Sequence, residues 1–244
     1  SSDYRADVRV SDDIFKQLSQ AYLKIRNTAR YFLGNLDGFD ADNLVKPEEM
    51  LPLDKWAVSA LNDLMKRVKA GYEAYEYHIV YHAIRNFCVV EMSNFYMDVI
   101  KDTLYCEAKD GLKRRSAQTA MYLILDAMVK MLAPILSFTA DEIWKAMPHE
   151  AGRNPESPLF NDIPQADYIE TDEAFISKWD RVHKIRTDAQ KALEEARVAK
   201  VIGKPLEAKV ILHAQGELAE FLNSVIDELP EIFITSAVEV ADGD

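Results

Sequence analysis

Between Ile14 and Leu36 an apolar residue returns every third or fourth position: Ile14, Leu18, Tyr22, Ile25, Ala29, Phe32 and Leu36. That period demands an amphipathic helix and excludes a strand, whose buried side chains would alternate. Ser11 stands where an N-cap belongs, with Asp12 and Asp13 in the first turn, near the positive end of the helix. The spacing predicts a helix to about Leu33, released by Gly34, Asn35 and Gly38 into a polar loop carrying Pro47 and Pro52. Arg26, Asn27 and Arg30 lie beside the stripe rather than on it. Arg26 and Arg30 are four apart, so both guanidinium groups project from one side.

The helical period continues. A second helix is expected from Leu53, with Trp56, Ala60, Leu64 and Val68 as its seam and Gly71 as a point of interruption. A third is expected from Glu73 to Tyr105, turning Ile79, Ala83, Phe87, Val90 and Asn94 inward. After the turn at Lys109–Gly111 a fourth, apolar helix opens near Lys113 and runs through Ala120, Leu123, Ala127 and Met131. Pro134 must kink or end it, because proline lacks the amide donor and clashes with the preceding turn. A further piece, Ser137–Met147, reads as burying Phe138, Ile143, Trp144 and Met147. Short connections between such helices imply an up-down bundle.

Beyond Met147 the composition shifts. Pro148, Pro155, Pro158 and Pro164, with Gly152 and Asn154, read as a linker over 151–170. Thr171 is the expected cap of a helix that buries Phe175, Trp179, Val182, Ile185, Ala189 and Leu193 and ends near Arg197. The period then changes: Leu206–Leu212, Ile232–Thr235 and Ala237–Val240 read as strands, and 217–229 as a short helix. The expectation is a mainly α chain: a helical bundle over 1–150, then a small α+β domain over 171–244 whose sheet is covered by the long helix.

The formal net charge is -12, which argues against a free-standing nucleic-acid binder. The distribution matters more. Residues 217–244 hold eight acidic residues and no Lys or Arg, while 178–200 hold seven basic against four acidic, and 109–115 four basic against one acidic. Locally basic surface is what phosphate steering requires. The two cysteines, Cys88 and Cys106, form neither a CxxC pair nor a secreted framework, and Cys88 sits in an apolar run that reads as buried. No signal peptide precedes Asp3 and no apolar run reaches membrane-spanning length. A cytoplasmic protein without a membrane partner is the expectation.

No catalytic constellation emerges. His78 and His82 share a helix side, but no His-Glu-x-x-His motif or cysteine cluster accompanies them, so no metal site is expected. Asp98 and Asp102 have a spacing common to any solvated face. Nucleophile elbows and glycine-rich phosphate loops are absent; Gly203-Lys-Pro205 is a lone turn. The arginines are better placed. A guanidinium fork suits phosphate because it donates two parallel hydrogen bonds. Two readings stand for Arg26, Asn27 and Arg30: phosphate contact, or internal pairing with acids such as Glu91 or Asp98. Lys113, Arg114 and Arg115 open a helix, where cations and bare amides favour an anion together; a solvated charge run is the other reading. On the late helix Lys184 and Lys191 share a side and could track a backbone, as could Arg181, while Arg186 could brace the domain junction. Tyr22, Tyr31, Tyr72, Tyr75, Tyr77, Tyr81 and Trp56 could stack on bases, but helical spacing makes interhelical packing the simpler account.

The same strings carry a resemblance. Tyr22-Leu-Lys-Ile-Arg-Asn-Thr-Ala-Arg-Tyr-Phe-Leu-Gly-Asn-Leu36, Leu53-Asp-Lys-Trp-Ala57, Tyr72-Glu-Ala-Tyr-Glu-Tyr-His78, Asn86-Phe-Cys88, Phe95-Tyr-Met-Asp98, Lys113-Arg-Arg-Ser-Ala-Gln-Thr-Ala120, Leu132-Ala-Pro-Ile-Leu-Ser-Phe-Thr-Ala-Asp-Glu-Ile-Trp144 and Lys191-Ala-Leu-Glu-Glu-Ala-Arg197 follow one another in order. Together they resemble the C-terminal part of isoleucyl-tRNA synthetases, class I aminoacyl-tRNA synthetases; Trp179–Arg186 and Ile202-Gly-Lys-Pro-Leu-Glu-Ala208 lean toward the isoleucine branch. The resemblance implies an anticodon-binding bundle that docks on isoleucine tRNA, in a ligase that uses ATP with magnesium and carries catalytic and editing domains in the same monomeric polypeptide. It also implies a fragment inactive by itself, because both catalytic signature motifs are missing, with no cofactor of its own and with Ser1 a vector remnant. The cysteine-rich zinc module of many bacterial members has no counterpart, and the acidic end at Asp244 offers no ligands for one. Pro205 stands where the family commonly has serine. The family strings containing Arg26, Asn27, Arg30, Lys113, Arg114 and Arg115 make these residues candidates for tRNA contact. A helical adaptor without RNA binding is the competing reading.

Overall fold

A computed structural model describes every residue except Ser1, Ala6, Arg9 and Asp244, so the expectations placed on Ser1 and Asp244 fall outside the described residues. The described chain is predominantly helical with one small parallel sheet, and it divides into two compact units, 1–171 and 172–244.

In the first unit α1 (Asp12–Asn35) starts as its sequence dictates, the Ser11 hydroxyl accepting from the Ile14 amide. Its stripe buries Ala21, Ile25, Thr28, Ala29 and Phe32, while Ile14 and Leu18 are only half-buried. Helix α2 (Pro52–Glu73) begins on Pro52, whose missing donor costs nothing in a first turn. Its buried face is rotated from the expected seam: Asp54, Ala57, Val58, Leu61, Leu64, Met65 and Val68 are covered, Trp56 and Ala60 only partly. Gly71 does not interrupt it. A Cβ there would lie 2.8 Å from Val80 Cγ2, so glycine lets the next helix pack close. The break comes at Tyr75, in the left-handed region at φ 58°.

The third helix therefore starts later than expected, as α3 (Tyr77–Asn86), and passes into a π-helical segment, Phe87–Tyr96, followed by short α4 (Met97–Val99) and α5 (Lys101–Cys106). The expected inward set holds only at Ala83 and Phe87. Ile79 and Val90 are exposed and so is Asn94, while Val80, Ile84, Phe87, Cys88, Met92, Phe95 and Tyr96 are buried. The wider π turn shifts the buried face against an α-helical period. The Cys88 carbonyl, at the centre of the shift, accepts from the Ser93 hydroxyl at 2.7 Å and from the Thr28 hydroxyl at 3.5 Å. Cys88 is a free, buried thiol whose pKa burial pushes up to about 12.

Helix α6 (Leu112–Leu132) is the axis of the unit. From Ser116 to Leu132 only Leu123 escapes full burial, the pattern of a helix enclosed on all sides. Several of its polar residues are paired internally, although the Tyr122 hydroxyl and Asp126 Oδ1 have no hydrogen-bond partner among the described residues. Asp54 Oδ1 accepts from the Tyr96 hydroxyl at 2.6 Å and Oδ2 from Ser116 at 2.5 Å, tying α2, the π segment and α6 together. Lys130 and Asp126, four apart and at most 2% exposed, form an ion pair of 2.8 Å with the ammonium also 5.4 Å from the Trp144 ring. Pro134 lies in the turn that separates α6 from α7 (Ser137–Ala146). On α7 Ala140, Ile143 and Trp144 are buried, but Phe138, expected inside, is 94% exposed.

The proline-rich stretch read as a linker packs on this unit. Trp144 Nε1 donates to the Asn154 carbonyl at 3.1 Å, Asn62 to the Ile169 carbonyl at 2.9 Å, and Ile169 is buried. Thr171 is hydrogen-bonded to Ser59, 3.0 Å between hydroxyl oxygens, and is not the helix cap.

The second unit begins with α8 (Glu173–Val198), capped by Asp172, whose carboxylate accepts from the Phe175 amide at 2.7 Å. Trp179, Val182, Ala189 and Leu193 are its buried line, with Phe175 and Ile185 half-buried. Strands β1 (Lys209–His213) and β2 (Ala237–Ala241) pair in parallel, Lys209 opposite Ala237 and His213 opposite Ala241. Between them run α9 (Gly216–Ser224) and α10 (Leu229–Phe233). The expected strand at 232–235 is thus a helix end, closed by Ile234 in the left-handed conformation. The cause is Leu229, Ile232 and Phe233, which share a helical face and are all buried; α10 packs on both α8 and β2.

Candidate nucleic-acid interface

Helix α1 turns one side toward α7, and there the Tyr22 and Thr139 hydroxyls lie 3.0 Å apart. Further along the pair of helices a cleft of about 280 Å³ opens, lined by Arg26, Arg30, Leu33, Thr139, Glu142, Ile143 and Ala146. Its floor is apolar and its rim carries charge. Arg26 Nη2 lies 3.8 Å from Glu142 Oε1, with the side chains 43% and 69% exposed. A solvated pair at that distance is weak and easily exchanged for another anion. Arg30 is exposed and has no ion pair or hydrogen bond among the described residues; Asn27 is exposed beside it. Neither Glu91 nor Asp98 is the partner of these arginines: Asp98 takes Lys101 at 2.7 Å, while Glu91 is half-buried, its carboxyl pKa raised by desolvation.

The second basic group is more committed. Lys113 lies 3.7 Å from Glu107, and Arg115 donates to the Asn43 carbonyl at 2.8 Å. Arg114, half-buried, has no such contact among the described residues. The group opens α6, as expected, but one residue inside its start. No hydrogen bond or ion pair joins it to the arginines of α1 among the described residues.

In the second unit Lys184 and Lys191 are exposed on α8. The other cations of that helix are engaged: Arg181 lies over the Phe221 ring at 4.0 Å, Lys178 reaches Glu228 at 2.7 Å, and Arg186 donates to the Ile232 carbonyl at 2.9 Å. Arg186 thus braces α8 against α10 within its own unit.

Most tyrosines are explained by packing. The Tyr31 hydroxyl donates to the Met97 carbonyl at 3.3 Å and that of Tyr72 to Met131 at 2.6 Å; Trp56 meets Phe95 edge-on at 4.8 Å. Tyr75 and Tyr77 remain exposed. Among the described residues, no group of three or more His, Cys, Asp or Glu side chains could hold a metal ion. None of their helices is long and apolar enough to cross a membrane.

One residue of the cleft and one adjacent to it in sequence escaped sequence reasoning. Glu142 faces Arg26, and only the α1–α7 pairing reveals that. Phe138 lies one helical turn before Glu142, where a hydrophobic count assigns it to the core.

A helical bundle with a shallow, arginine-rimmed cleft is suited to holding a polyanion by its backbone. The comparisons with known proteins give the family. A family model described as the anticodon-binding domain of tRNA ligase matches residues 54–212, and the chain belongs to that family. That match crosses the boundary between the two units and leaves out α1. Whole-chain relatives include α1. The isoleucine–tRNA ligase of Syntrophotalea carbinolica is 50% identical over 244 residues, 99% of this chain and 26% of the relative. That of Geobacter sulfurreducens is 46% identical over 243 residues, and that of Listeria monocytogenes 44% over 244, each again with 26% of the relative covered. The chain spans about a quarter of the length of the curated relatives it matches.

Proposed function

We propose that this chain is the tRNA-holding, anticodon-side region of an isoleucine–tRNA ligase, and that the α1–α7 cleft is where it grips the RNA backbone. Arg26 and Arg30 donate to phosphate and Asn27 supplies an adjacent donor. Lys113, Arg114 and Arg115 on α6 and, within the second unit, Lys184 and Lys191 on α8 supply further cations for RNA contact. The observation that carries this reading is Arg30: a guanidinium left unpaired among the described residues, on the rim of a cleft, beside an arginine held only loosely. Residues 1–150 act as the anticodon-binding domain, 151–170 connect, and 171–244 form a junction domain. The whole ligase joins isoleucine to its tRNA for protein biosynthesis in the cytoplasm. It draws on ATP with magnesium bound in a catalytic domain of the same polypeptide and on a separate editing domain. This region contributes position, not bond chemistry: it fixes the tRNA so that its acceptor end reaches a distant centre.

The test is Arg30→Ala in the full-length ligase, titrated with isoleucine tRNA by filter binding at several salt concentrations. Loss of one phosphate contact should weaken binding and reduce the slope of log K against log salt by about one. An unchanged slope would make Arg30 a structural residue.

A further inference from the structure

Phe138 is 94% exposed, the most exposed large hydrophobic side chain among the described residues. Nothing in its helix requires this. Ala140, Ile143 and Trp144 bury α7 adequately, and Phe138 projects from the other side. We propose that the Phe138 ring is a stacking platform for an unpaired base of the bound RNA, an inference that rests on the RNA-holding role of the α1–α7 cleft. The ring is sequence-adjacent to Thr139, which lines that cleft, and one turn before Glu142, which faces Arg26. Four residues of helix span about 6 Å, so a nucleotide whose phosphate meets the arginines can lay its base over the ring.

The surroundings favour a base over a protein partner. Asp141, Glu142 and Lys145, the helix neighbours three, four and seven residues on, are charged, and Lys145 is paired to Asp141 at 2.7 Å. A protein-docking face needs a broad apolar centre, whereas one ring in a charged frame suits a flat π-system whose phosphate is held by nearby guanidinium groups. A phenyl ring accepts any base, so Phe138 adds affinity without reading sequence.

The experiment compares Phe138→Leu and Phe138→Trp in the full-length ligase. Affinity for isoleucine tRNA is read by filter binding, and base environment by tRNAs carrying 2-aminopurine at single unpaired positions. Leucine should lower affinity about 5- to 100-fold, keep the salt slope, and abolish the fluorescence change at one position; tryptophan should retain binding. Wild-type affinity and fluorescence in Phe138→Leu would overturn the proposal. So would a lowered melting temperature of the ligase with tRNA affinity intact, which would mean that the ring packs against another part of the protein. If Arg30→Ala weakens binding while Phe138→Leu is silent, the platform fails and the RNA-holding role stands. If both are silent, the role fails with it.

Discussion

Two of the Arg/Lys–carboxylate pairs in the first unit differ in every respect but chemistry. Lys130 and Asp126 meet at 2.8 Å with side chains no more than 2% exposed; Arg26 and Glu142 stand 3.8 Å apart in water. Burial pulls the Lys130 pKa down, against the upward pull of Asp126, so the ammonium depends on its partner carboxylate and not on solvent. Arg153, 3.9 Å from Asp126 and 3.4 Å from Glu150, extends this buried network into the stretch that leaves the bundle. The outer pair has no such hold. Solvation satisfies each member alone, which is what lets one be given up to a ligand. The contrast teaches that depth, and not residue type, separates a structural ion pair from a candidate binding one.

Removing one inner charge is the harshest way to break that contrast. Lys130→Met leaves Asp126 in the core with Arg153 at 3.9 Å in place of its close partner and should cost about 3–5 kcal/mol, measured by urea unfolding. The double change Asp126→Leu with Lys130→Met should restore most of the loss, since two apolar residues need no partner. A single variant as stable as wild type would show that water reaches the site.

The other buried polar link on α6 sharpens the scale. Tyr96→Phe leaves Asp54 with the Ser116 hydroxyl but takes away a 2.6 Å bond to a carboxylate, and should cost about 1.5–3 kcal/mol in the same assay.

In the second unit His183 extends the comparison to a half-buried group whose charged form is disfavoured. Desolvation first, and Arg186 second, lower its pKa to about 4, below its usual 6.5. The unfolded chain therefore binds the extra proton between about pH 6.5 and 4, and stability falls as pH drops through that window. The His183 share is up to about 2 kcal/mol once its solvent-facing part is discounted. His183→Gln should reduce the pH dependence of unfolding followed by tryptophan fluorescence; an identical profile would remove His183 as its source.

The outer pair gives the smallest stability effect. Glu142→Ala should shift folding by less than about 0.5 kcal/mol. It should tighten tRNA binding by the full-length ligase, since it frees Arg26 and removes a negative charge from the rim. Weaker binding would assign Glu142 a positioning role for Arg26.

How far these features could be read from residues alone varies along the chain. Helix α1 was legible from cap to stripe because its period, Ser11 and its acidic first turn all agree. The third helix was legible as a helix but only at Ala83 and Phe87 in its facing, because a π segment leaves no mark in an apolar count. Phe138 was misplaced for a related reason: hydrophobicity states a preference for burial, and geometry alone decides whether a covering surface exists. The end of the helix at 229–233 was read as the start of a strand over 232–235, because so short an apolar run satisfies either period. Arg26 and Arg30 were found as candidates from their spacing, but Glu142 was not, since the contact joins residues 116 positions apart.

Local chemistry thus determined where helices start, where prolines end them, and which charges cluster along the chain, because those effects act within a few residues. The tertiary fold decided which faces are covered, which ion pair is dry and which wet, and that two guanidinium groups share the rim of one cleft with the Glu142 carboxylate. Those depend on how one helix is rotated against another, and that rotation is set by packing between segments distant in sequence.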